Sequence, residues 1–196
     1  MKFLGIDQSL SKSAFCYMVD GEVKSVSLSK TGASKVKNKK KDTFYYDTLQ
    51  EQIHHVCSDL YKVVSEVQPD KITFESLSFA SIGNVTRDLA CLYGAMRETL
   101  VVNFPNINVE ECAPTSLKSY ARDFLKPARQ VDGFLKTGKP KKVKMDKKLM
   151  VEAVKELYGQ DYLKEYNFST GLDDLADATF LAHKTWSAYD KTQKKK

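Results

Sequence analysis

The chain has 196 residues, a length that suits one domain, and its 42% hydrophobic content is enough to fill one core, so no division into two domains is required. The formal charge is +6, but three lysine runs (35–41, 136–148 and 191–196) carry sixteen of the 31 basic residues against a single acid, Asp146. The remainder holds 15 basic and 24 acidic residues. An acidic body with strongly basic attachments favours a polyanionic partner, with nucleic acid foremost, and the lack of any 18-residue apolar run argues against a membrane span.

In chain order, Met1-Lys2 leads directly into an apolar run, Phe3 to Ile6, that fits a strand buried on both faces and ends at Asp7. With no signal-type prelude, a cytoplasmic location is expected, in the host cytoplasm if the chain is phage-encoded. Ala14 to Val19 and Glu22 to Leu28 are β-prone runs joined by Asp20-Gly21, a strong hairpin signal, so the chain opens with three antiparallel strands. Thr31 to Lys41 reads as an exposed loop. From Phe44 to Val67, apolar residues recur at spacings of three or four and predict a long amphipathic helix. His54 and His55 on it are adjacent and point in different directions, which argues against joint metal ligation.

Lys71 to Glu75, opened by the turn signal Pro69-Asp70, is a further strand ending in a carboxylate. A connection through a helix makes it parallel to a strand already in the sheet, and beside the first strand it would bring Glu75 next to Asp7. Asn84 to Val101 shows helical spacing with a small patch at Gly94 and Ala95, suited to close helix packing. Ile107 to Cys112 is the fifth strand, ended by Ala113-Pro114, with Thr115 or Ser116 as the cap of a short helix carrying Leu117, Tyr120 and Phe124. No apolar period survives between Pro127 and Pro140, so the basic stretch at about 125–144 is expected to be a mobile loop ordered by a ligand.

Asp146 is placed to cap a helix that stops at Gly159, and a last helix begins near Leu172. Residues 1–190 form the single predicted domain and 191–196 a basic tail. Cys16, Cys57, Cys91 and Cys112 are scattered singly, with no C-x-x-C pair, so neither a zinc site nor a disulfide framework is indicated and all four are expected to be buried apolar residues.

The last helix carries Asp173, Asp174 and Asp177, which fall within one ~100° arc of its surface. Helix-dipole stabilisation of a first turn accounts for Asp173 and Asp174 but not for Asp177. Asp7 and Glu75 at strand ends, together with these acids and no evident cation beside them, suit hard oxygen-seeking ions. Mg²⁺ is expected, with Mn²⁺ as a substitute. Two such ions roughly 3.5–4 Å apart stabilise both the attacking and the leaving oxygen of a phosphoryl displacement, which makes phosphodiester hydrolysis the expected chemistry. No phosphate-cradling glycine motif is present, and no small-molecule cofactor is expected.

GIDQS at 5–9, FES at 74–76 and DLADA at 174–178 resemble the three acidic motifs of RuvC-type Holliday-junction resolvases, in the ribonuclease H-like nuclease superfamily, in order and spacing across nearly the whole chain. The resemblance implies an α/β, ribonuclease H-like fold: a five-stranded mixed sheet of three antiparallel and then two parallel strands, flanked by helices. Asp7, Glu75, Asp174 and Asp177 would then be metal-binding and catalytic, with Asp173 outside the D-x-x-D-A pattern. Lys118 and Lys147 occupy places similar to the family's phosphate-neutralising lysines, and Leu92 to Arg97 resembles its homodimer helix.

Gln8-Ser9 departs from the usual proline-glycine. Ser78 replaces the usual junction-wedging aromatic, with Phe79 one step later. DNA contacts are assigned to Phe79, Lys118, Lys147 and the basic-loop residues Lys136, Lys139, Lys141, Lys142 and Lys144. The expected function is a dimeric endonuclease that resolves four-way junctions by paired symmetric nicks, of viral or phage type. Alternatives are a ribonuclease H-like or flap nuclease acting on RNA·DNA hybrids or branched DNA, a nucleotide-binding protein of the actin and sugar-kinase kind, for which the second half and phosphate loops are missing, and a non-catalytic DNA binder.

Overall fold

The computed structural model describes residues 1–77 and 83–194. The chain opens with β1 (Lys2–Asp7), β2 (Ser13–Val19) and β3 (Glu22–Ser29). Asp20 and Gly21 both have positive φ, as the tight turn between antiparallel strands requires. Two short strands follow, β4 (Thr31–Ala33) and β5 (Phe44–Tyr46), then α1 (Leu49–Val67), β6 (Lys71–Glu75), α2 (Asn84–Asn103), β7 (Asn108–Cys112) and α3 (Pro114–Arg122). After a 3-10 turn at Pro127–Arg129 come β8 (Val131–Phe134), β9 (Pro140–Lys142), α4 (Lys147–Tyr158) and α5 (Leu172–Gln193). The main sheet has five strands in the order β3-β2-β1-β6-β7, antiparallel across β3-β2-β1 and parallel across β1-β6-β7. That is the mixed sheet expected from the sequence.

The two-residue period of the strands divides the interior into two cores. Leu4, Ile6, Phe15, Ile72 and Phe74 point to one face, where they pack with Val56, Leu60 and Val64 of α1 and Leu92, Met96 and Leu100 of α2. Phe3, Ala14, Cys16 and Met18 point to the other, covered by α4 and α5. On β1 the residues alternating with Leu4 and Ile6 are Phe3, Gly5 and Asp7, so Asp7 lies on the α5 face. On β6, Thr73 donates to or accepts from Thr185 of α5 at 2.7 Å, which assigns Glu75 to the same face.

Gly5 permits the close approach of α5 to β1. A Cβ there would overlap the carbonyl oxygen of Ala178 and stand 2.6 Å from the amide nitrogen of Ala182. Ala178 and Ala182 are themselves small and fully buried, so helix and strand meet nearly backbone to backbone. Helical spacing then aligns Asp174 and Asp177 with Ala178 and Ala182 along the sheet-facing stripe of α5.

Several sequence expectations are corrected. The long helix starts at Leu49, not Phe44, because Thr48 and Glu51 form a reciprocal capping box (Glu51 N–H to Thr48 Oγ1 3.2 Å; Thr48 N–H to Glu51 Oε2 3.0 Å), while Phe44–Tyr46 pairs in parallel with Thr31–Ala33. Neither Thr115 nor Ser116 caps α3. Its N-cap is Ala113 with Pro114 in the first turn, where the missing N–H costs nothing. The stretch 127–140 is not structureless, since β8 and β9 form an antiparallel hairpin. Cys16 and Cys112 are buried, but Cys57 is only partly so and Cys91 is exposed, on the side of α2 away from Leu92 and Met96. α5 continues to Gln193, so the first residues of the basic stretch 191–196 are helical. No described helix is long and apolar enough to cross a membrane.

Candidate active site

β1 and β6 run parallel with Ile6 opposite Phe74, so the next residues, Asp7 and Glu75, end adjacent strands side by side on the α5 face. Asp174 and Asp177 project from the first two turns of α5 toward the same place. The four sequence-predicted carboxylates therefore share one field. Burial pushes the Asp7 carboxyl well above the usual range, and the charges of Asp177, Glu75 and Asp174 raise it further. Burial followed by the Glu75 charge raises Asp177, and burial raises Glu75 and Asp174 as well.

Cations border the cluster, contrary to the expectation that none stands nearby. Lys147, at the start of α4, is 73% exposed and pairs with Asp173, which is buried at 5% side-chain exposure. Its charge also lowers the carboxyls of Asp7 and Asp174. Lys118 of α3 acts in the same direction on Glu75 and Asp177. The structure thus brings both predicted lysines to the rim of the cluster, and Asp173, though paired with Lys147, still raises the carboxyls of Asp174 and Asp177. Phe79 lies outside the described residues. Lys136, Lys139, Lys141 and Lys142 belong to the β8–β9 hairpin and Lys144 follows it; all are exposed, and none touches the carboxylates among the described residues.

Two neighbours were not assigned to the site from the sequence. Lys12, in the turn between β1 and β2, places Nζ 3.4 Å from Asp174 Oδ2 and donates to the Phe168 carbonyl at 3.3 Å. Gln8 donates from Nε2 to the Glu75 carbonyl at 2.5 Å, tying together the ends of the two carboxylate-bearing strands. The available signal for Gln8 was that it directly follows Asp7, at a position where the resembled family carries proline. Lys12 gave no comparable signal, because its role depends on how the turn folds back over α5.

The donor set fits a hard divalent cation. All four groups offer carboxylate oxygens, and Asp177 Oδ1 is buried without a hydrogen-bond partner, as is Oδ1 of the neighbouring Asp173. Among the described residues, no three His, Cys, Asp or Glu side chains are already drawn together as a closed ligand cage. The fit therefore rests on donor chemistry and on the unpartnered oxygen of Asp177.

The raised carboxyls have a consequence for stability. A group whose pKa is higher in the folded than in the unfolded state stabilises the fold below the unfolded value, about 4 for a carboxyl, and that contribution is lost as pH rises through the folded value. In chelator, the unfolding free energy should therefore fall as pH rises from about 4 through neutrality. Asp177→Asn should flatten that decline by up to roughly 1.4 kcal/mol per pH unit, one proton's worth, and raise the melting temperature at pH 8. Urea denaturation at a series of pH values checks this. A mutant no more stable than wild type at pH 8 would mean that Asp177 carries no burial penalty.

No protein-family profile and no curated protein sequence matches the chain. Its fold, however, is shared with solved structures. RuvC of Thermus thermophilus, solved with a Holliday junction substrate, is 14% identical over 98% of this chain and 97% of that one, with a TM-score of 0.65. The yeast mitochondrial Holliday junction resolvase is 18% identical over 97% and 80%, with a TM-score of 0.62. The fowlpox virus Holliday junction resolvase is 14% identical over 96% and 99%, with a TM-score of 0.51. The fold is ribonuclease H-like. It is the fold that the three acidic motifs led one to expect, shared with these solved resolvases.

Proposed function

We propose that the chain is a structure-selective endodeoxyribonuclease that resolves four-way DNA junctions by paired symmetric nicks in the cytoplasm. One observation carries the reading: Asp7 and Glu75 end neighbouring parallel strands on the face over which α5 places Asp174 and Asp177. The fold shared with junction resolvases supports it.

Asp7, Glu75, Asp174 and Asp177 would hold two Mg²⁺ ions, or Mn²⁺ in their place. When bound, such ions supply positive charge to the attacking and leaving oxygens of the phosphodiester and lower the pKa of the attacking water. The chain's own residues provide the rest. Gln8 fixes the spacing of the β1 and β6 ends through the Glu75 carbonyl. Lys12 steadies Asp174. Lys118 and Lys147, at the rim, meet the phosphates flanking the scissile bond, and the ammonium of Lys147 divides its time between Asp173 and DNA.

Paired nicking requires two active sites, so the proposal includes a homodimer formed through the outer face of α2. There Gly94 is exposed with open space around its Cβ position, and Val101 and Val102 are exposed as well.

The test compares a mobile four-way junction, linear duplex and an RNA·DNA hybrid as substrates in Mg²⁺. Nicks placed symmetrically in the junction alone are the expected result. Preferential cutting of the hybrid would move the activity to the ribonuclease branch, and equal cutting of all three would remove structure selectivity.

A further inference from the structure

The β8–β9 hairpin combines three features that a solvated loop does not need. First, its base is fixed. Arg129 grips Glu152 of α4 with two hydrogen bonds of 3.1 and 3.0 Å, Gln130 donates to the Leu125 carbonyl at 2.7 Å, and Arg122 holds the Val143 carbonyl at 3.0 Å. The Val143 amide in turn donates to the Gln130 carbonyl at 2.9 Å, closing the neck.

Second, its tip has a defined conformation. Leu135 N–H donates to the Lys139 carbonyl at 2.8 Å and Gly138 N–H to the Leu135 carbonyl at 2.9 Å. The register slips between Val131 and Phe134, with Gly133 at φ 75° in the irregular step, and a bulge of this kind re-aims the side chain that follows it. Third, that side chain is Phe134, 74% exposed, followed by Leu135 at 49%. A two-stranded ribbon alone is marginal in water, and large apolar groups at its end make no contribution to its folding.

The charge around the tip identifies the occupant. Lys136, Lys139 and Lys142 have no ion-pair partner among the described residues, while Lys141 alone is paired, to Asp132 at 3.1 Å. An exposed aromatic ring set among unpaired ammonium groups matches a strand that presents phosphates outside and unstacked base faces inside. Paired duplex shields those faces; a branch point opens them.

We propose that Phe134, with Leu135 beside it, stacks on unpaired bases at the branch point of the DNA while the neighbouring lysines hold the backbone. The hairpin is thereby a second specificity element, carried on a different part of the chain from the carboxylates. This rests on the junction-nuclease reading and names which residues recognise the branch.

The experiment uses the full-length protein in chelator, so that binding is read without cleavage, with a four-way junction carrying 2-aminopurine at the branch point. Wild type should raise the 2-aminopurine fluorescence as the base leaves its stack. Phe134→Ala should lose that rise and bind the junction roughly 5- to 100-fold more weakly, with the slope of log affinity against log salt unchanged. Phe134→Trp should retain affinity. Lys136→Ala with Lys139→Ala should instead reduce the salt slope by about 0.9 for each phosphate that is no longer neutralised. Phe134 is exposed, so the melting temperature of Phe134→Ala should match that of wild type. Wild-type junction affinity and fluorescence in Phe134→Ala would overturn the inference while leaving the nuclease reading intact. Failure of wild type to prefer junction over duplex would overturn both.

Discussion

Asp7→Asn is expected to reduce junction cleavage by about 10³-fold or more, the consequence of removing several kcal/mol of transition-state stabilisation, while junction affinity stays equal or rises. The charges of Asp177, Glu75 and Asp174 all act on Asp7, so it belongs to the electrostatic cluster. On the proposed function, its replacement by a neutral isostere would remove an oxygen assigned to the metal and a negative charge that would face the DNA phosphates. The amide is nearly the same size as the acid, and β1 is held by neighbours on both sides, so the fold should persist. Single-turnover cleavage and gel-shift titration of the same preparation check both halves. A folded mutant that still cleaves at the wild-type rate would remove Asp7 from the chemistry, and one that has lost DNA binding would make its role structural.

Gly5→Ala is the second substitution with a large expected effect, although it lies outside the carboxylate set. The added methyl would meet the backbone of α5 at Ala178 and Ala182, which cannot rotate away as a side-chain end would. Overpacking of a core by a methyl group costs about 1–3 kcal/mol, and a clash with backbone belongs at or beyond the top of that range. The strand and helix would have to separate, and with them Asp7 from Asp174 and Asp177. Loss of about 3 kcal/mol or more in chemical denaturation, accompanied by loss of cleavage in whatever fraction remains folded, is the expected result. A Gly5→Ala protein as stable and active as wild type would show that the close approach of helix to strand does not set the geometry of the site.

Much of this site was legible in the sequence because its elements obey simple periods. The strand period places Asp7 with Phe3 and Glu75 with Thr73, and the helical period aligns Asp174 with Asp177. Pairing of the two strands then follows from the connection between them. The partner of Asp173 was not legible from its position on the arc, because it is Lys147, on another helix. Lys12 was hidden for the same reason.

The β8–β9 hairpin escaped because every residue from Val131 to Lys142 is exposed. A ribbon with no buried face needs no alternation of apolar and polar residues, and without alternation a strand leaves little trace in sequence. Phe44 to Tyr46 misled in the opposite way. Tyr45 falls on the helical period, yet the capping box at Thr48 sets where the helix can begin. Cys91 shows the limit of composition: cysteine is usually buried, but here its place on the outer side of α2 decides.

The most direct test of the central claim, that the four carboxylates form a two-cation site operating on DNA, is electron paramagnetic resonance of Mn²⁺ bound to the protein–junction complex in wild type and Asp7→Asn. The account predicts two spin-coupled Mn²⁺ per active site in wild type and loss of the coupled signal in the mutant, with the complex still formed. A wild-type complex that retains no Mn²⁺, or that gives the same spectrum after Asp7→Asn, would contradict it.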